Sequence, residues 1–481
     1  MAVTTDSTVK TYPYLIDGKW LTEGPLLEVK SPYDAQVVGV TNYASSQQLD
    51  QSIASAVKAF EITRRMPAYE RQRILRAVAD AVAARADEFA RLIALEAGKP
   101  IKSAKIEVDR AVLTFSIAAE ESTRINGEWL PLDLQPSTKG RNGIVRRFPV
   151  GPIAAITPFN FPLNLVAHKV APAIAAGCTT VLKPAPKTPL SALALAEVIH
   201  QAGLPAGALN VINLSNDDAA RLVTDERIKL LSFTGSAAVG WDLKSKAGKK
   251  KVVLELGGNA AVIVHSDADI AKAAHRCSIG GFSYAGQSCI SVQRIFVHRD
   301  VENQFTEELL QRVRKLKMGD PLDESSDLGP MINEDAAKRA ASWVEEARAA
   351  GANVLTGGTR KGAALEPVIL TGTTATMRVS CEEIFAPVVL IEPYDDFDAV
   401  LRRVNDSPYG LQAGLFTHDA NLIFKAYDEL EVGGLILNDA SAFRIDNMPY
   451  GGVKESGFGR EGLRYSIEDM TEPRLLVLNL H

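Results

Sequence analysis

The sequence predicts an α/β protein built on parallel, doubly wound sheets. From Gly151 onward, short apolar strands alternate with helices of roughly 10–15 residues, which is the pattern of parallel β/α units. A second alternating set begins at Ala260. The 481 residues are enough to bury large cores and to form two or more domains. We therefore expect two α/β sets, with ligands at the carboxyl ends of their strands.

The part of the chain before this alternation is predicted to be helical and then extended. Residues 47–125 are predicted as helices, because apolar residues within Glu70–Arg85 recur at every third or fourth position. The last of these helices is predicted at Lys102–Ile125 and carries Arg110. Over residues 127–148 glycine, tryptophan, proline and charged residues alternate, which indicates an extended ribbon.

Apolar runs in the first α/β set predict five strands, and the segments between them predict three helices. The strands are predicted at Ile153–Thr157, Thr179–Lys183, Ala208–Ile212, Lys229–Thr234 and Lys251–Leu256. The helices are predicted at Leu163–Ala176, Leu190–Ala202 and Ser236–Lys246. The second set is predicted to hold a strand at Arg294–His298 and helices near residues 301–315 and 335–350.

The tail, Pro473–His481, is apolar and strand-like. Neither the tail nor the ribbon over 127–148 has an evident core of its own. We therefore expect these two segments to pair with another subunit.

Composition excludes several classes of function. The apolar and charged fractions, 46% and 23%, are those of a globular protein, and the net charge of −5 gives no case for binding nucleic acid or an anionic membrane. No run of about 18 apolar residues predicts a membrane span, and Met1–Lys10 lacks the apolar core of a signal peptide. Four cysteines without a CxxC pair predict neither a metal site nor a disulfide framework, so a reducing cytoplasm is expected.

Four motifs bring chemically active side chains to the ends of strands or helices. Cys289, in AGQSC, follows a small, apolar helical segment, as a partly exposed nucleophile requires. Asn160, in TPFNFP, has an amide that can donate to an oxyanion. Glu255, in LELGG, stands beside paired glycines that allow close backbone approach, and Glu383, in EEIFAP, stands close to an aromatic ring. From these residues alone an inert core thiol, a helix cap, a surface acid and a salt bridge remain open.

Taken together, the motifs resemble those of the aldehyde dehydrogenase superfamily over nearly the whole chain, most of all its lactaldehyde and semialdehyde dehydrogenases. They occur in family order: TPFNFP, LKPAPKTP, SFTGS, LELGG, AGQSC, EEIFAP, NDSPYGL and PYGGVKESG. The resemblance implies a Rossmann-type cofactor domain, an α/β catalytic domain and a β-ribbon oligomerisation element in a homodimer or homotetramer. The corresponding segments are 1–126 with 146–256, then 257–455, and finally 127–145 with 456–481.

The resemblance also implies a chemistry, the oxidation of an aldehyde to its carboxylic acid with NAD or NADP. The Cys289 thiolate attacks the aldehyde to give a thiohemiacetal, and Asn160 holds the oxyanion. Hydride leaves for the nicotinamide, and Glu255 activates the water that hydrolyses the resulting thioester. Lys169 matches a family lysine that helps to organise the site.

The implied cofactor site lies at the strand ends of the first α/β set. Lys183 reaches the adenosine ribose, while Gly235 and Ser236 open a helix whose amides face the pyrophosphate. Glu383 accepts from the nicotinamide ribose, with Phe385 packed nearby. The remaining residues assigned to the cofactor are Thr157, Pro158, Phe159 and Leu256.

One departure from the family pattern bears on the choice between NAD and NADP. Many NAD-preferring relatives carry a glutamate three residues after the lysine, where this chain has Pro186 followed by Lys187. Because a carboxylate is replaced and a cation is added, a 2′-phosphate should be tolerated. We therefore expect NADP to be accepted. A second departure, Asn213–Asn216 in place of a glycine-rich turn, leaves details of the pyrophosphate contacts open.

Five residues are predicted to meet the substrate: Arg110, Asn164, His168, Ser288 and Arg444. Asn164 and His168 are expected to share one helix face with Asn160, and the two arginines suit an anionic or hydroxylated tail. Short polar aldehydes such as lactaldehyde, glycolaldehyde, glyceraldehyde derivatives or a semialdehyde are therefore expected, although Arg110 as an ordinary solvated or paired arginine stays open. A CoA-acylating semialdehyde dehydrogenase and an inactive cofactor-binding protein remain the alternative functions.

Overall fold

The computed structural model describes residues 9–479, except for the side chain of Asn216. Most of the polar N-terminal stretch and the last two residues of the predicted tail lie outside the described residues. Four short strands that the sequence analysis missed come first: β1 (Tyr14–Ile16), β2 (Lys19–Leu21), β3 (Leu26–Lys30) and β4 (Val37–Asn42). Asp17 and Gly18 both have positive φ, which is the two-residue turn that closes the β1–β2 hairpin.

The predicted helical region is confirmed and divides into four helices. They are α1 (Ser46–Thr63), α2 (Ala68–Ala84), α3 (Ala86–Ala97) and α4 (Ile101–Glu121). Gly98, in the left-handed region, ends α3, and Pro100 precedes α4, so the junction between them is sharp. The predicted ribbon follows as β5 (Glu128–Pro131) and β6 (Arg141–Pro149).

The first α/β set confirms the predicted alternation and adds one helix. Its elements are β7 (Pro152–Ile156), α5 (Asn164–Ala176), β8 (Thr179–Lys183), α6 (Leu190–Gln201), β9 (Leu209–Val211), α7 (Asn216–Thr224), β10 (Leu230–Thr234), α8 (Ala237–Lys246) and β11 (Lys251–Glu255). The helix α7 was not predicted, although Ser215 caps it by accepting from the Asp218 amide.

Strand order in this sheet determines where a ligand can bind. The parallel strands run β9–β8–β7–β10–β11, so successive connections leave β7 in opposite directions. Beyond their carboxyl ends such sheets have a crevice. Asn160 follows β7, Gly235 follows β10 and Glu255 ends β11, so the fold brings these three motifs to one edge.

The second α/β set forms a seven-stranded sheet that begins at residue 260. Its elements are β12 (Ala260–Val264), α9 (Ile270–Phe282), β13 (Val292–His298), α10 (Glu302–Val313), α11 (Glu334–Ala349), β14 (Asn353–Thr356), β15 (Arg360–Lys361), β16 (Ala364–Leu365), β17 (Val368–Thr371), α12 (Arg378–Cys381), β18 (Val388–Tyr394), α13 (Phe397–Asn405), β19 (Tyr409–Gly410), β20 (Gln412–Phe416), α14 (Ala420–Glu429) and β21 (Gly434–Leu437). The sheet order is β14–β17–β18–β13–β12–β20–β21, parallel except for β14.

The end of the chain returns to the first sheet and to the ribbon. Its elements are β22 (Val453–Lys454), β23 (Gly457–Phe458), α15 (Leu463–Asp469) and β24 (Thr471–Asn479). β23 pairs with β11, and β24 runs antiparallel to β6 over its whole length. The predicted tail strand is therefore confirmed, but its partner is the ribbon of the same chain. Among residues 9–479 no helix is long and apolar enough to cross a membrane.

Candidate active site

A cavity of about 520 Å³ opens at the carboxyl ends of β7, β10 and β11, with residues of both α/β sets in its wall. The predicted site residues that line it are Arg110, Pro158, Phe159, Asn160, Asn164, Gly235, Ser236, Glu255, Leu256, Ser288, Cys289, Glu383, Phe385 and Arg444. The others lie outside this wall: Thr157, His168, Lys169, Lys183, Pro186 and Lys187. The cavity is large enough to hold a small substrate together with part of a cofactor.

Cys289 lies on a strained loop that follows α9. Tyr284 and Ala285 have φ values of 50° and 53°, and such left-handed conformations cost non-glycine residues about 1–3 kcal/mol each. At Gly286 a Cβ atom would lie 2.1 Å from the Ala386 carbonyl oxygen, so only glycine fits there. The Cys289 side chain is partly exposed, and its Sγ lies 3.0 Å from the hydroxyl of Tyr450.

Charged neighbours act on the Cys289 thiol in both directions. Burial and the carboxyl of Glu255 raise its pKa well above the ordinary value. The hydrogen bond with Tyr450 and the guanidinium of Arg444 act the other way and lower it. The reactive thiolate therefore depends on the tyrosine and the arginine, and the sequence analysis had not singled out the tyrosine.

Asn160 contacts the loop of Cys289 directly. Its Nδ2 donates to the Gln287 carbonyl at 3.0 Å, and its buried Oδ1 has no hydrogen-bond partner in the part of the chain that the structure describes. The predicted helix face that it shares with Asn164 and His168 is wrong, because α5 begins only at Asn164, after Pro162 and Leu163. Asn160 instead lies in the loop between β7 and α5, close to the nucleophile.

Glu255 ends β11 as predicted and is only 2% exposed. Burial and the nearby carboxylate of Glu461 raise its pKa, whereas Arg444 and Lys169 lower it. Its Oε1 has no hydrogen-bond partner within residues 9–479. A carboxyl with these properties is suited to accept a proton near neutral pH or above it.

Glu461 links the two buried cations behind the site. Lys169 Nζ lies 3.2 Å from Glu461 Oε1 and donates to Ser232 Oγ at 3.0 Å, while Arg444 Nη2 lies 3.0 Å from Glu461 Oε2. The pKa of Glu461 is lowered by these cations despite its burial, so it stays ionised. Sequence reasoning missed Glu461, whose one available signal was its place just after the motif PYGGVKESG.

Asp446 is a second buried carboxylate that the sequence analysis missed. It binds Arg110 Nη2 at 2.6 Å, His168 Nε2 at 2.7 Å and Asn164 Nδ2 at 3.4 Å. Asn164 and His168 do share a helix face, but His168 lies behind the cavity wall. Burial lowers the pKa of His168, so the neutral ring donates through Nε2. Asp446 thus fixes the one arginine that enters the cavity from α4.

The nicotinamide end of the predicted cofactor site has a backbone that comes unusually close to a carboxylate. Glu383 Oε1 accepts from the Gly258 amide at 2.9 Å, and a Cβ atom on Gly257 would lie 2.2 Å from Glu383 Oε2. Burial raises the pKa of Glu383 to about 7. The rings of Phe159 and Phe385 meet edge to face at 5.9 Å. A polar group beside paired rings fits a nicotinamide riboside.

The adenosine end has polar atoms that lack partners. Lys183, at the end of β8, reaches only the Pro184 carbonyl at 3.5 Å, and burial alone lowers its pKa to about 8. The buried Thr157 Oγ1 has no partner, and Ser236 begins α8 without a side-chain cap. Lys187, which follows Lys183 closely in the sequence, is exposed. These residues fit the ribose and phosphates of a dinucleotide.

Nothing in the described part of the chain supports a metal centre, because no cluster of three His, Cys, Asp or Glu side chains is close enough to hold an ion. Cys178 and Cys277 are buried, and burial raises the pKa of both thiols. Among the four cysteines, Cys289 alone lines the cavity.

Comparisons with known proteins agree with this geometry. The aldehyde dehydrogenase family matches residues 20–476. The 3-sulfolactaldehyde dehydrogenase of Priestia aryabhattai is 47% identical over 479 residues, which cover 99% of this chain and 100% of that protein. Aldehyde dehydrogenase 21 from Physcomitrella patens, solved with the reaction product succinate, has a TM-score of 0.96 and 47% identity, covering 98% of this chain and 99% of that one. Glyceraldehyde-3-phosphate dehydrogenase from Methanocaldococcus jannaschii, solved with NADP, has a TM-score of 0.92 and 38% identity, covering 95% and 100%.

Proposed function

Because this chain belongs to the aldehyde dehydrogenase family, we propose that it oxidises a short aldehyde bearing an anionic group to the corresponding acid. NAD(P)-dependent oxidation of an aldehyde is the activity of the chain. We infer the anionic group of the substrate from the charges around Cys289.

We assign one role to each residue at the reacting carbon. Cys289 Sγ attacks the aldehyde carbon, and the new oxyanion accepts from Asn160 Nδ2 and from the Cys289 amide. NAD(P), held in part by Glu383, would supply the acceptor for the hydride that leaves this carbon. Glu255 then removes a proton from the water that attacks the thioester, and the acid is released. Lys169, through Glu461, positions the charges around this base.

The single observation that supports an anionic substrate is the surplus of positive charge around the part of the cavity that contains Cys289. Three cations, Arg110, Arg444 and Lys169, are paired with two carboxylates that remain ionised, Asp446 and Glu461. Burial and Glu461 raise the pKa of the third carboxyl near them, Glu255, which favours its neutral form. An anionic substrate therefore balances the site.

Arg110 is the residue best placed to contact that anion. Asp446 holds its Nε at 3.4 Å and its Nη2 at 2.6 Å, which fixes the plane of the guanidinium. Nη1 has no hydrogen-bond partner among the described residues, and about a fifth of the side chain, 22%, is exposed. A fixed donor at the cavity wall suits a carboxylate, sulfonate or phosphate.

Three of the similar proteins have names or bound products that agree with an anionic substrate, whereas others are named for uncharged lactaldehyde. Sulfolactaldehyde carries a sulfonate, succinate carries carboxylates, and glyceraldehyde 3-phosphate carries a phosphate. These substrates and products belong to those proteins. They support an anionic aldehyde as the substrate here.

A specificity screen tests this proposal. Aldehydes of matched length with a terminal sulfonate, carboxylate, phosphate, hydroxyl or methyl group are compared by kcat/KM. We expect the preferred anionic aldehyde to exceed its uncharged counterpart by at least about tenfold, and Arg110→Gln to remove most of that preference. His168 remains as a donor to Asp446 in this variant. An unchanged kcat/KM of Arg110→Gln for every anionic aldehyde contradicts the role of Arg110.

We also propose that the enzyme accepts NADP. Among the described residues no carboxylate pairs with Lys183, and Pro186 and Lys187 stand where many NAD-preferring relatives carry a glutamate that selects against a 2′-phosphate. Kinetics with both cofactors test this, and a preference for NAD of a hundredfold or more overturns it.

Assembly into a homodimer or homotetramer is proposed from the ribbon and tail. On β24 the side chains of Leu475, Leu476 and Val477 are about half exposed, and Trp129 on β5 is 61% exposed. Apolar surface on a sheet edge favours burial against a second copy.

We propose the division into domains that the motifs imply, which is 1–126 with 146–256, then 257–455, and 127–145 with 456–481. Four free cysteines are consistent with a cytoplasmic location.

The main alternative is acyl transfer to CoA instead of water. Glu255 argues against it, because a base aimed at the thioester promotes hydrolysis. Product analysis with and without CoA distinguishes the two reactions. The inactive cofactor-binding protein that the sequence left open does not agree with the activity of the family, and trapping of an acyl-enzyme in a single turnover tests this directly.

A further inference from the structure

We propose that the Tyr450 hydroxyl is a further catalytic group, which donates a hydrogen bond to the Cys289 thiolate and holds the nucleophile ready before the aldehyde binds. The inference rests on the role of Cys289 in the proposed function. Tyr450 contacts the reacting atom itself, with 3.0 Å between its oxygen and Sγ. No proton moves between the two groups, since the tyrosine keeps its own.

Burial ensures that Tyr450 acts as a donor. Its side chain is only 3% exposed, and burial, Cys289 and Glu255 together raise its pKa well above the ordinary value. The hydroxyl therefore stays protonated wherever the enzyme works. A donor that stays neutral favours the thiolate over the thiol, because the hydrogen bond is stronger to the charged form.

The ring of Tyr450 is fixed from several sides. The Arg444 guanidinium lies 3.7 Å from the ring centroid, which is a favourable cation–π geometry. The Tyr450 backbone pairs with Glu461, the residue that binds Arg444. Ile290 and Leu411 pack against the ring in a small apolar cluster. The hydroxyl cannot easily turn away from Sγ.

The remaining charges around Sγ make such a donor necessary. Glu255, at the end of β11, and Glu383 both disfavour the thiolate. Arg444 and Tyr450 are the groups that favour it. The arginine is already paired with Glu461, so the direct hydrogen bond comes from Tyr450.

Alkylation of Cys289 by iodoacetamide tests the inference without aldehyde or cofactor. The rate is measured against pH and read from the Cys289 peptide by mass spectrometry, because Cys381 is also partly exposed. In Tyr450→Phe the ring stays and only the hydroxyl is lost. We expect the midpoint of the profile to rise by about one to two pH units, with the wild-type rate regained at high pH.

Tyr284→Phe is the matched control, since it removes another buried hydroxyl of the same region that donates to the Ala97 carbonyl and not to Sγ. Its midpoint should equal that of the wild type. An unshifted midpoint in Tyr450→Phe, an equal shift in Tyr284→Phe, or a lower rate at every pH each overturns the inference. Failure of the proposed substrate class alters the aldehyde screen and leaves this alkylation profile unchanged.

Discussion

At the scale of single residues, Glu255 combines a buried position with an unpartnered oxygen next to the nucleophile. Only its carboxylate form accepts a proton from water. Because burial and Glu461 raise its pKa, thioester hydrolysis should accelerate as pH rises through that raised value. We expect the steady-state rate to increase from neutral to alkaline pH. A rate that is flat over this interval contradicts the assignment, provided that hydrolysis limits turnover.

Glu255→Gln separates the two chemical steps. The amide cannot accept a proton, so hydrolysis should slow by about 10²–10⁴-fold while hydride transfer continues. Rapid mixing should then show a burst of about one reduced cofactor per site, followed by slow turnover. Cys289→Ser, which forms no thioester, is the matched blank and should show no burst. Loss of the burst in Glu255→Gln assigns Glu255 to an earlier step.

The sequence predicted the functional roles of some site residues but not of others. Cys289, Asn160 and Glu255 belong to recognisable motifs, and all three line one cavity. Asp446 and Glu461 carry no motif of their own, and their importance follows from burial between cations that come from distant parts of the chain. Tyr450 was visible within PYGGVKESG, but its contact with Sγ depends on how that loop folds back.

At the scale of elements, a buried ion pair joins the loop of the nucleophile to the loop of Asn160. Lys99, at the α3–α4 junction, pairs with Glu107, and its Nζ lies 3.7 Å and 4.6 Å from the ring centroids of Phe161 and Tyr284. Glu107 in turn accepts from the amides of Leu163 and Asn164 at the start of α5. One cation therefore connects three segments that the site depends on.

Lys99→Met should destabilise the fold strongly. It leaves the Glu107 carboxylate buried without its cation, which costs about 3–5 kcal/mol in comparable sites. Thermal unfolding should show a clearly lower Tm. Lys102→Met, which breaks an exposed pair with Asp327, is the control and should cost no more than about 1 kcal/mol. Equal effects in both variants contradict the special role of Lys99.

The elements themselves followed from periodicity where they are long or fully apolar. β8 has the predicted bounds, and other strands of the first set differ by one or two residues. β1 and β2 were missed because three residues give no pattern, although the Asp17–Gly18 turn was a usable signal. α7 was missed because its polar start resembles a loop. The pairing of the tail with the ribbon is non-local and has no sequence pattern.

At the scale of the whole molecule, exposed apolar side chains on β24 predict an assembly. The side chain of Leu476 is 57% exposed in a single chain, and Leu476→Glu places a charge on this surface. We expect the variant to sediment as a smaller species than the wild type. Leu26→Glu, at a leucine of 59% exposure on β3, is the control and should leave the assembly unchanged. If neither variant dissociates, the proposed role of β24 in the assembly is wrong.

Arg444, Tyr450 and Glu461 follow Cys289 by more than 150 residues in the sequence, which has a consequence for biosynthesis. Cys289 leaves the ribosome well before them, and domains generally fold as they emerge. Until the final segment docks, the thiol lacks both groups that favour its ionised form. We therefore expect Cys289 to acquire the contacts that orient its Sγ only when residues 444–461 dock against it.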